Sequence, residues 1–253
     1  NLQNIPVRLE QGRLIRKAFV PEEEDSVLLS SDYSQIELRV LAHISGDEHL
    51  IDAFKHGADI HTSTAMRVFN IEKPEDVTAN DRRNAKAVNF GVVYGISDFG
   101  LSNNLGISRK EAKAYIETYF ERYPGIKDYM ERVVRDKGYV ETLFKRRREI
   151  PDINSRNFNI RGFAERTAIN SPIQGSAADI LKIAMIHLDE ALEAGAYKTK
   201  MLLQVHDEIV LQVPKEELPK IKQLVKETME SAIELAVPLE ADENEGQTWY
   251  EAK

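Results

Sequence analysis

Residues 200–213 read KMLLQVHDEIVLQV, two apolar runs on either side of a polar centre. Runs of this kind, broken by a short polar insert, predict two antiparallel strands joined by a tight turn, with His206 and Asp207 near its tip. A turn takes polar residues in any case, so structure alone accounts for His206, Asp207 and Glu208. The chemical alternative is a carboxylate displayed at the end of a sheet. Magnesium is held by a few carboxylates, completed by waters and substrate phosphates. Asp207 by itself would be a thin site.

A second carboxylate stands after another short apolar run. Residues 26–31, SVLLSS, read as a buried strand. They lead into residues 34–44, where Ile36, Val40 and Ile44 recur at helical spacing with Leu38 and Leu41. Ser34 and Glu37 form an S-x-x-E capping box, which predicts a helix start there. Asp32 falls at the junction, either as a residue that caps backbone donors or as a partner for Asp207. Spacing alone does not bring the two together. If their strands are neighbours in one sheet, both carboxylates can flank two magnesium ions, which in such sites lie about 3.5–4 Å apart.

The third feature is RRNAKAVNFGVVYG, residues 82–95, in which Arg82, Lys86, Phe90 and Tyr94 recur every four positions. Four residues turn a helix by about 400°, so these side chains share one face with a slow drift. Two cations followed by two aromatics suit the phosphates and then the base and sugar of a nucleoside triphosphate. A surface Arg–Lys pair above two core aromatics would give the same spacing.

The remaining chain reads as a mixture. Residues 14–20 alternate loosely and suit a strand. Residues 49–130 look mainly helical, with breaks near Gly57, Pro74, Gly95, Gly106 and Pro124, and a Ser-capped helix from Ser108 to Tyr123. Residues 137–144 suggest a turn and a strand, residues 168–194 a long helix beginning after Pro172, and residues 218–235 an amphipathic helix. Paired strands set among helices, without a regular βαβ array, predict an α+β fold. There are no cysteines, which excludes disulfides and thiolate metal sites. No apolar run approaches the ~18 residues of a membrane span. The net charge of −8 is segregated. Residues 135–166 hold nine basic and five acidic side chains, whereas residues 214–253 hold five and ten. Local clusters, rather than the total, govern nucleic-acid binding; a solvated basic face is the plain alternative. The chain opens on Asn1 rather than Met, as expected of a piece of a longer protein.

Taken in order, these segments resemble the family A DNA polymerases, the bacterial DNA polymerase I group. DYSQIELR (residues 32–39) resembles that family's motif A, residues 82–95 its motif B, and QVHDE (residues 204–208) its motif C. NLQNIP, RRR, SRNFN, AERTAIN, PIQGSAAD and TWY match as well, so the resemblance covers essentially the whole chain, with wording closest to low-GC Gram-positive bacteria.

The resemblance implies a mostly antiparallel palm sheet with a helical fingers subdomain inserted. Palm would occupy residues 1–48 and 136–253, fingers residues 49–135, and helices would cover the sheet face opposite the active site. It implies template-directed addition of deoxynucleotides to a primer 3′-end, with two Mg2+ ions and release of pyrophosphate. Asp32 and Asp207 would be the metal carboxylates, joined by the Tyr33 backbone, with Glu208 in a supporting catalytic role. Arg82 and Lys86 would grip the triphosphate, Phe90 pack on sugar and base, and Tyr94 sit near the templating base. Glu37 would exclude a ribose 2′-hydroxyl, with Tyr33 lining that pocket, and Gln35 and His61 would complete the nucleotide set. Arg166, Asn170, Gln174, His206 and Tyr94 would meet primer-template DNA. Phe90 further implies discrimination against dideoxynucleotides.

The family's thumb and exonuclease-like domains are absent from these residues, and the helix entering GYVETLF looks about three residues short. The expected partners are primer-template DNA and dNTP, with no membrane, and a thumb supplied by the rest of a longer chain. The expected setting is the bacterial cytoplasm, at the nucleoid. Alone, the chain is expected to be weakly active, with no proofreading. A single-subunit RNA polymerase is the rival enzyme, disfavoured by Glu37; a non-catalytic nucleic-acid-binding module is the other.

Overall fold

The structure is a computed structural model and describes residues 2–5, 10–135 and 138–252. Mixed helix and antiparallel sheet form two compact units. The first comprises Asn1–Ile36, Ala178–Glu234 and Leu239–Lys253; the second comprises Glu37–Ala177 and Leu235–Pro238.

Helix α1 (Glu10–Ile15) opens the first unit and runs into a short 3-10 turn, Arg16–Ala18. The strand expected over residues 14–20 is therefore corrected. Arg13 and Lys17 both lie over the Tyr250 ring, at 5.2 and 4.9 Å. Residues four apart meet one aromatic ring when the backbone is helical, whereas full extension would separate them.

Strand β1 (Ser26–Tyr33) follows, longer than the apolar run suggested and buried along nearly its whole length. It is an inner strand, pairing antiparallel with β5 on one side and β6 on the other. Burial on both faces explains why SVLLSS is a continuous run rather than an alternation.

In the second unit, α2 (Ile36–Ser45) begins after Gln35, whose φ is +54°. The helix thus starts within two residues of the boundary expected at Ser34. Six further helices follow: α3 (Glu48–Lys55), α4 (Ile60–Phe69), α5 (Ala79–Val93), α6 (Asp98–Leu105), α7 (Arg109–Arg122) and α8 (Pro124–Arg135). They break where Gly, Pro and Ser predicted, and Ser108 and Glu111 do form a capping box on α7. The strands β2 (Tyr139–Glu141) and β3 (Arg147–Glu149) make a separate ribbon. Asp136 and Lys137, at the shortened segment, lie outside the described residues.

Helix α9 runs unbroken over Phe158–Ala194 with Pro172 inside it, so it does not begin after that proline. Pro172 removes one backbone donor. The Thr167 and Ser171 hydroxyls donate back to carbonyls four residues earlier in the same stretch.

The first unit is completed by the hairpin β4 (Lys200–Val205) and β5 (Glu208–Pro214), by α10 (Leu218–Glu230) and by β6 (Ala241–Gly246). Helix α10 ends five residues before the expected limit. The sheet order is β4-β5-β1-β6. Helix α10 packs on the face bearing Tyr33, whose hydroxyl donates to the Met229 carbonyl at 2.6 Å. The opposite face carries Leu28, Val205 and Val210 against Trp249 and Ala252. Since successive strand residues alternate, Asp32 belongs to the face away from α10. No helix among the described residues is long and apolar enough to cross a membrane.

One buried carboxylate organises two helix starts in the second unit. Asp47 accepts from the Leu50 N–H at the start of α3 and from the Gly125 N–H at the start of α8, at 3.1 and 3.0 Å. A Cβ at Gly125 would stand 2.8 Å from the Asp47 Cα, so the approach requires glycine. Asp47→Ala should cost roughly 2 kcal/mol, because it uncaps α3 and leaves a second, half-buried donor unpaired. Asp47→Asn, which keeps an acceptor, should cost less. Urea denaturation of the three proteins checks the order.

Candidate active site

The first unit brings the two predicted carboxylates to neighbouring strands. Asp32 stands opposite Glu208 in the β1–β5 register, and the Tyr33 N–H donates to the Asp207 carbonyl at 3.3 Å. His206 and Asp207 are the two residues of the hairpin turn, between the paired Val205 and Glu208. His206 takes a φ of +58°, the left-handed conformation that tight hairpins use, and is exposed. Asp32 and Asp207 are both partly exposed at this end of the sheet.

Glu208 is different. It is fully buried, and its Oε1 accepts from Ser30 Oγ and Trp249 Nε1, both at 2.8 Å. The Arg16 guanidinium lies 4.1 Å from the centre of the Trp249 ring. Burial lowers the pKa of Arg16, with Glu208 pulling the other way. Tyr33 needs a correction as well. Its side chain is buried on the α10 face with its hydroxyl committed to Met229, so it lines no open pocket. Burial, with Glu230 adding to it, raises the phenol pKa, and only the Tyr33 main chain belongs to the carboxylate end. Gln35 occupies the left-handed turn after β1, with Oε1 shielded and without a hydrogen-bond partner among the described residues.

Strand β6 has no signature in its residues. ADENEG is poor in strand-forming residues, yet it pairs with β1 and sets Asp242 opposite Asp32.

In the second unit, α5 carries the predicted row. Ala85, Val88, Asn89, Val92 and Val93 face inward, while Arg82, Lys86 and Tyr94 are exposed. Lys86 Nζ lies 5.9 Å from the Phe90 ring centre, and His61 packs against the same ring. Arg82 donates through Nε and Nη2 to Asp59 Oδ2, at 3.0 and 2.7 Å. Asp59 also caps α4 by accepting from the Thr62 N–H. Burial alone would raise the Asp59 pKa, but Arg82 and the Thr62 N–H bring it below its ordinary value. Asp59 was not among the predicted residues; its place before an apolar helical run was the available signal. Glu37 accepts from the Tyr94 hydroxyl at 2.9 Å, joining two predicted nucleotide residues directly.

Arg166, Asn170 and Gln174 stand on one face of α9 by their four-residue spacing. Gly95, at φ +64°, lies against Arg166, whose Cγ would be 2.9 Å from any Cβ there. Gln174 also lines a cleft of about 200 Å³ with Arg146, Arg147 and Arg148. Part of the basic cluster thus borders a concave surface.

The profile of DNA polymerase family A matches residues 1–251. This chain belongs to that family. DNA polymerase I of Streptococcus pneumoniae is 86% identical over 256 aligned positions, which take in all of this chain and 29% of that protein. The Geobacillus stearothermophilus DNA polymerase I is 60% identical with the same coverage. The alignments run over 256 positions, against 253 residues in this chain. Among solved structures, the POL domain of Pol1 from M. smegmatis, in complex with DNA primer-template and dNTP, superposes with a TM-score of 0.94. It is 47% identical and covers all of this chain and 45% of that one. The chain therefore spans less than a third of the length of its curated family A relatives.

His61 offers a test of this geometry. Burial, only partly opposed by Asp59 and reinforced by Arg82 and Lys86, lowers its imidazole pKa to about 4. Its Nδ1 is 3.1 Å from the Asn89 side-chain nitrogen, and a neutral ring can accept that hydrogen bond. Since folded His61 holds a proton less readily than unfolded His61, its contribution to stability is full above pH ~6.5. That contribution is lost as pH falls toward 4. An NMR titration should give a midpoint near 4 for His61; a midpoint near 6.5 would contradict the burial argument.

Proposed function

We propose that this chain is the palm-and-fingers core of a DNA-directed DNA polymerase, which adds deoxynucleotides to a primer 3′-end and releases pyrophosphate. The observation that carries this reading is the strand register that brings Asp32 beside the Asp207 turn, within a chain that family A covers almost end to end.

The donor set suits magnesium. Two partly exposed carboxylates stand at one end of the sheet, with no cysteine in the chain, and no group of three or more metal-ligating side chains occurs among the described residues. A hard cation that keeps waters and takes substrate phosphates as further ligands needs no fuller protein cage. Asp32 and Asp207, with the Tyr33 main chain, would hold the two ions. When bound, the ions supply charge stabilisation to the attacking and leaving oxygens of an in-line displacement.

The chain's own residues bind and orient. Arg82 and Lys86 carry positive charge for the triphosphate, and Phe90, with His61 behind it, offers a flat apolar surface to sugar and base. Phe90 would also disfavour dideoxynucleotides. Glu37, held by Tyr94, would collide with a ribose 2′-hydroxyl, while Gln35 shapes the same strand end and Tyr94 meets the templating base. Arg166, Asn170, Gln174 and His206 would meet the primer-template, largely at backbone and minor-groove acceptors that vary little among base pairs. The primer 3′-oxygen forms a bond to the α-phosphorus, and the α–β bridging bond breaks with its electrons leaving on pyrophosphate. Protein catalysis in such transfers is mostly positioning and electrostatics. In this reading residues 1–48 and 136–253 are palm and residues 49–135 fingers. A longer chain supplies the thumb, and the work is done in the bacterial cytoplasm, at the nucleoid.

Primer extension tests the proposal. The chain should extend a primer with dNTPs and magnesium, stop on chelation, and lose activity about 10³-fold or more in Asp207→Ala, the loss of several kcal/mol of charge stabilisation. Efficient use of rNTPs, or activity untouched by Asp207→Ala, would sink it.

A further inference from the structure

The buried environment of Glu208 assigns it a task other than ligating metal. Glu208 is the first residue of β5, directly after the two-residue turn, and stands opposite Asp32. Its carboxylate is fully buried and receives Ser30 Oγ and Trp249 Nε1 on one oxygen. Trp249 is itself fixed from three sides. Its backbone N–H donates to the Phe19 carbonyl at 3.0 Å, the Phe19 ring meets the indole edge-on at 5.3 Å, and Arg16 covers its face. Arg16 is only 4% exposed, and its Nε and Nη1 find no hydrogen-bond partner among the described residues.

A buried charge is tolerated when hydrogen bonds and an opposite charge compensate it. Here the two donors compensate Glu208, and Arg16, over the indole ring, is a buried cation of opposite charge that acts on it. Such an arrangement is costly to disturb, so the start of β5 is held where it is. With Val205 buried on the other side of the turn, little freedom remains for Asp207.

We propose that Trp249, with Arg16 and Ser30, is a positioning device. It clamps Glu208 and thereby sets the Asp207 carboxylate for metal binding, tying segments near both ends of the chain to the hairpin. The inference rests on the reading of Asp207 as a metal carboxylate. Trp249 and Arg16 touch no substrate in it; they act through Glu208.

The test uses the whole chain and Mn2+ alone, read by electron paramagnetic resonance, beside the magnesium and dNTP dependence of primer extension. Trp249→Phe deletes the indole N–H while keeping a ring for Phe19 and Arg16. It should weaken Mn2+ binding and raise the magnesium half-saturation by about 10-fold, the scale of second-shell losses at metal sites, with KM for dNTP unchanged. Glu208→Gln keeps an oxygen that accepts both bonds but removes the charge facing Arg16, so it should bind Mn2+ less tightly than wild type and far more tightly than Asp207→Ala. Ser30→Ala, which removes the other donor, should shift binding in the same direction as Trp249→Phe and carries the test if the tryptophan variant does not fold. Unchanged Mn2+ binding in a folded Trp249→Phe protein would overturn the proposal. So would Glu208→Gln losing Mn2+ as completely as Asp207→Ala, since Glu208 would then be a ligand. If Asp207→Ala itself leaves Mn2+ binding unaltered, the parent reading fails first and this one falls with it.

Discussion

Antiparallel pairing of β1 with β5 is the constraint on which the site depends. Side chains alternate along a strand, so a slip of one residue would send Asp32 to the α10 face and bring Tyr33 to the other. Both faces resist the slip. Leu29, Ile209 and Leu211 are buried on one, Leu28 and Val210 on the other, and the Tyr33 hydroxyl is tied to Met229. Each buried aliphatic side chain stabilises by about 1.5–3 kcal/mol. Bringing two carboxylates near each other costs on the order of 4 kcal/mol at 4 Å in surface-like surroundings. The apolar strands outweigh that repulsion several times over, so the sheet can hold a pair of acids together that water would keep apart.

The helical unit solves a different problem, that of keeping cations ready on an exposed face. Helix α5 buries Ala85, Val88, Asn89, Val92 and Val93, which leaves Arg82 and Lys86 no choice but to face solvent. Asp59 holds Arg82 by two hydrogen bonds, yet both side chains are well exposed. Exposed pairs of this kind are worth at most about 1 kcal/mol. In the proposed reading, a triphosphate carrying several negative charges would compete easily for the same guanidinium. The pairing therefore orients Arg82 without sequestering it. Glu37 and Tyr94 make a similar loan of geometry, one hydroxyl holding one carboxylate.

Much of this was legible in the residues, and the gaps have physical causes. The hairpin at 200–213 was readable because its apolar runs flank a two-residue polar turn. The helical breaks were readable because Gly106 ends α6 in the left-handed region and Ser108 caps α7. Strand β6 was hidden, since ADENEG owes its conformation to the pairing edge of β1 rather than to its own preferences. Residues 14–20 misled for the reverse reason: their loose alternation is overridden by contacts with Tyr250 and Trp249 far along the chain. In the first unit the residue types of Asp32 and Asp207 suggested metal chemistry, and in the second those of Arg82 and Lys86 suggested phosphate binding. That β1 pairs with the strand following Asp207, that Glu208 is locked inward, and that Arg82 leans on Asp59 are facts of tertiary packing that no spacing encodes.

The central claim is that Asp32 and Asp207 form one divalent-metal site, and metal-directed backbone cleavage probes it most directly. Fe2+ substituted for magnesium, with ascorbate and peroxide, generates hydroxyl radicals at the metal, and mass spectrometry locates the cuts. The account predicts two sets of cuts, one beside Asp32 and one beside Asp207, both suppressed by excess Mg2+. Cleavage confined to other segments, or at one of the two carboxylates without the other, would contradict it.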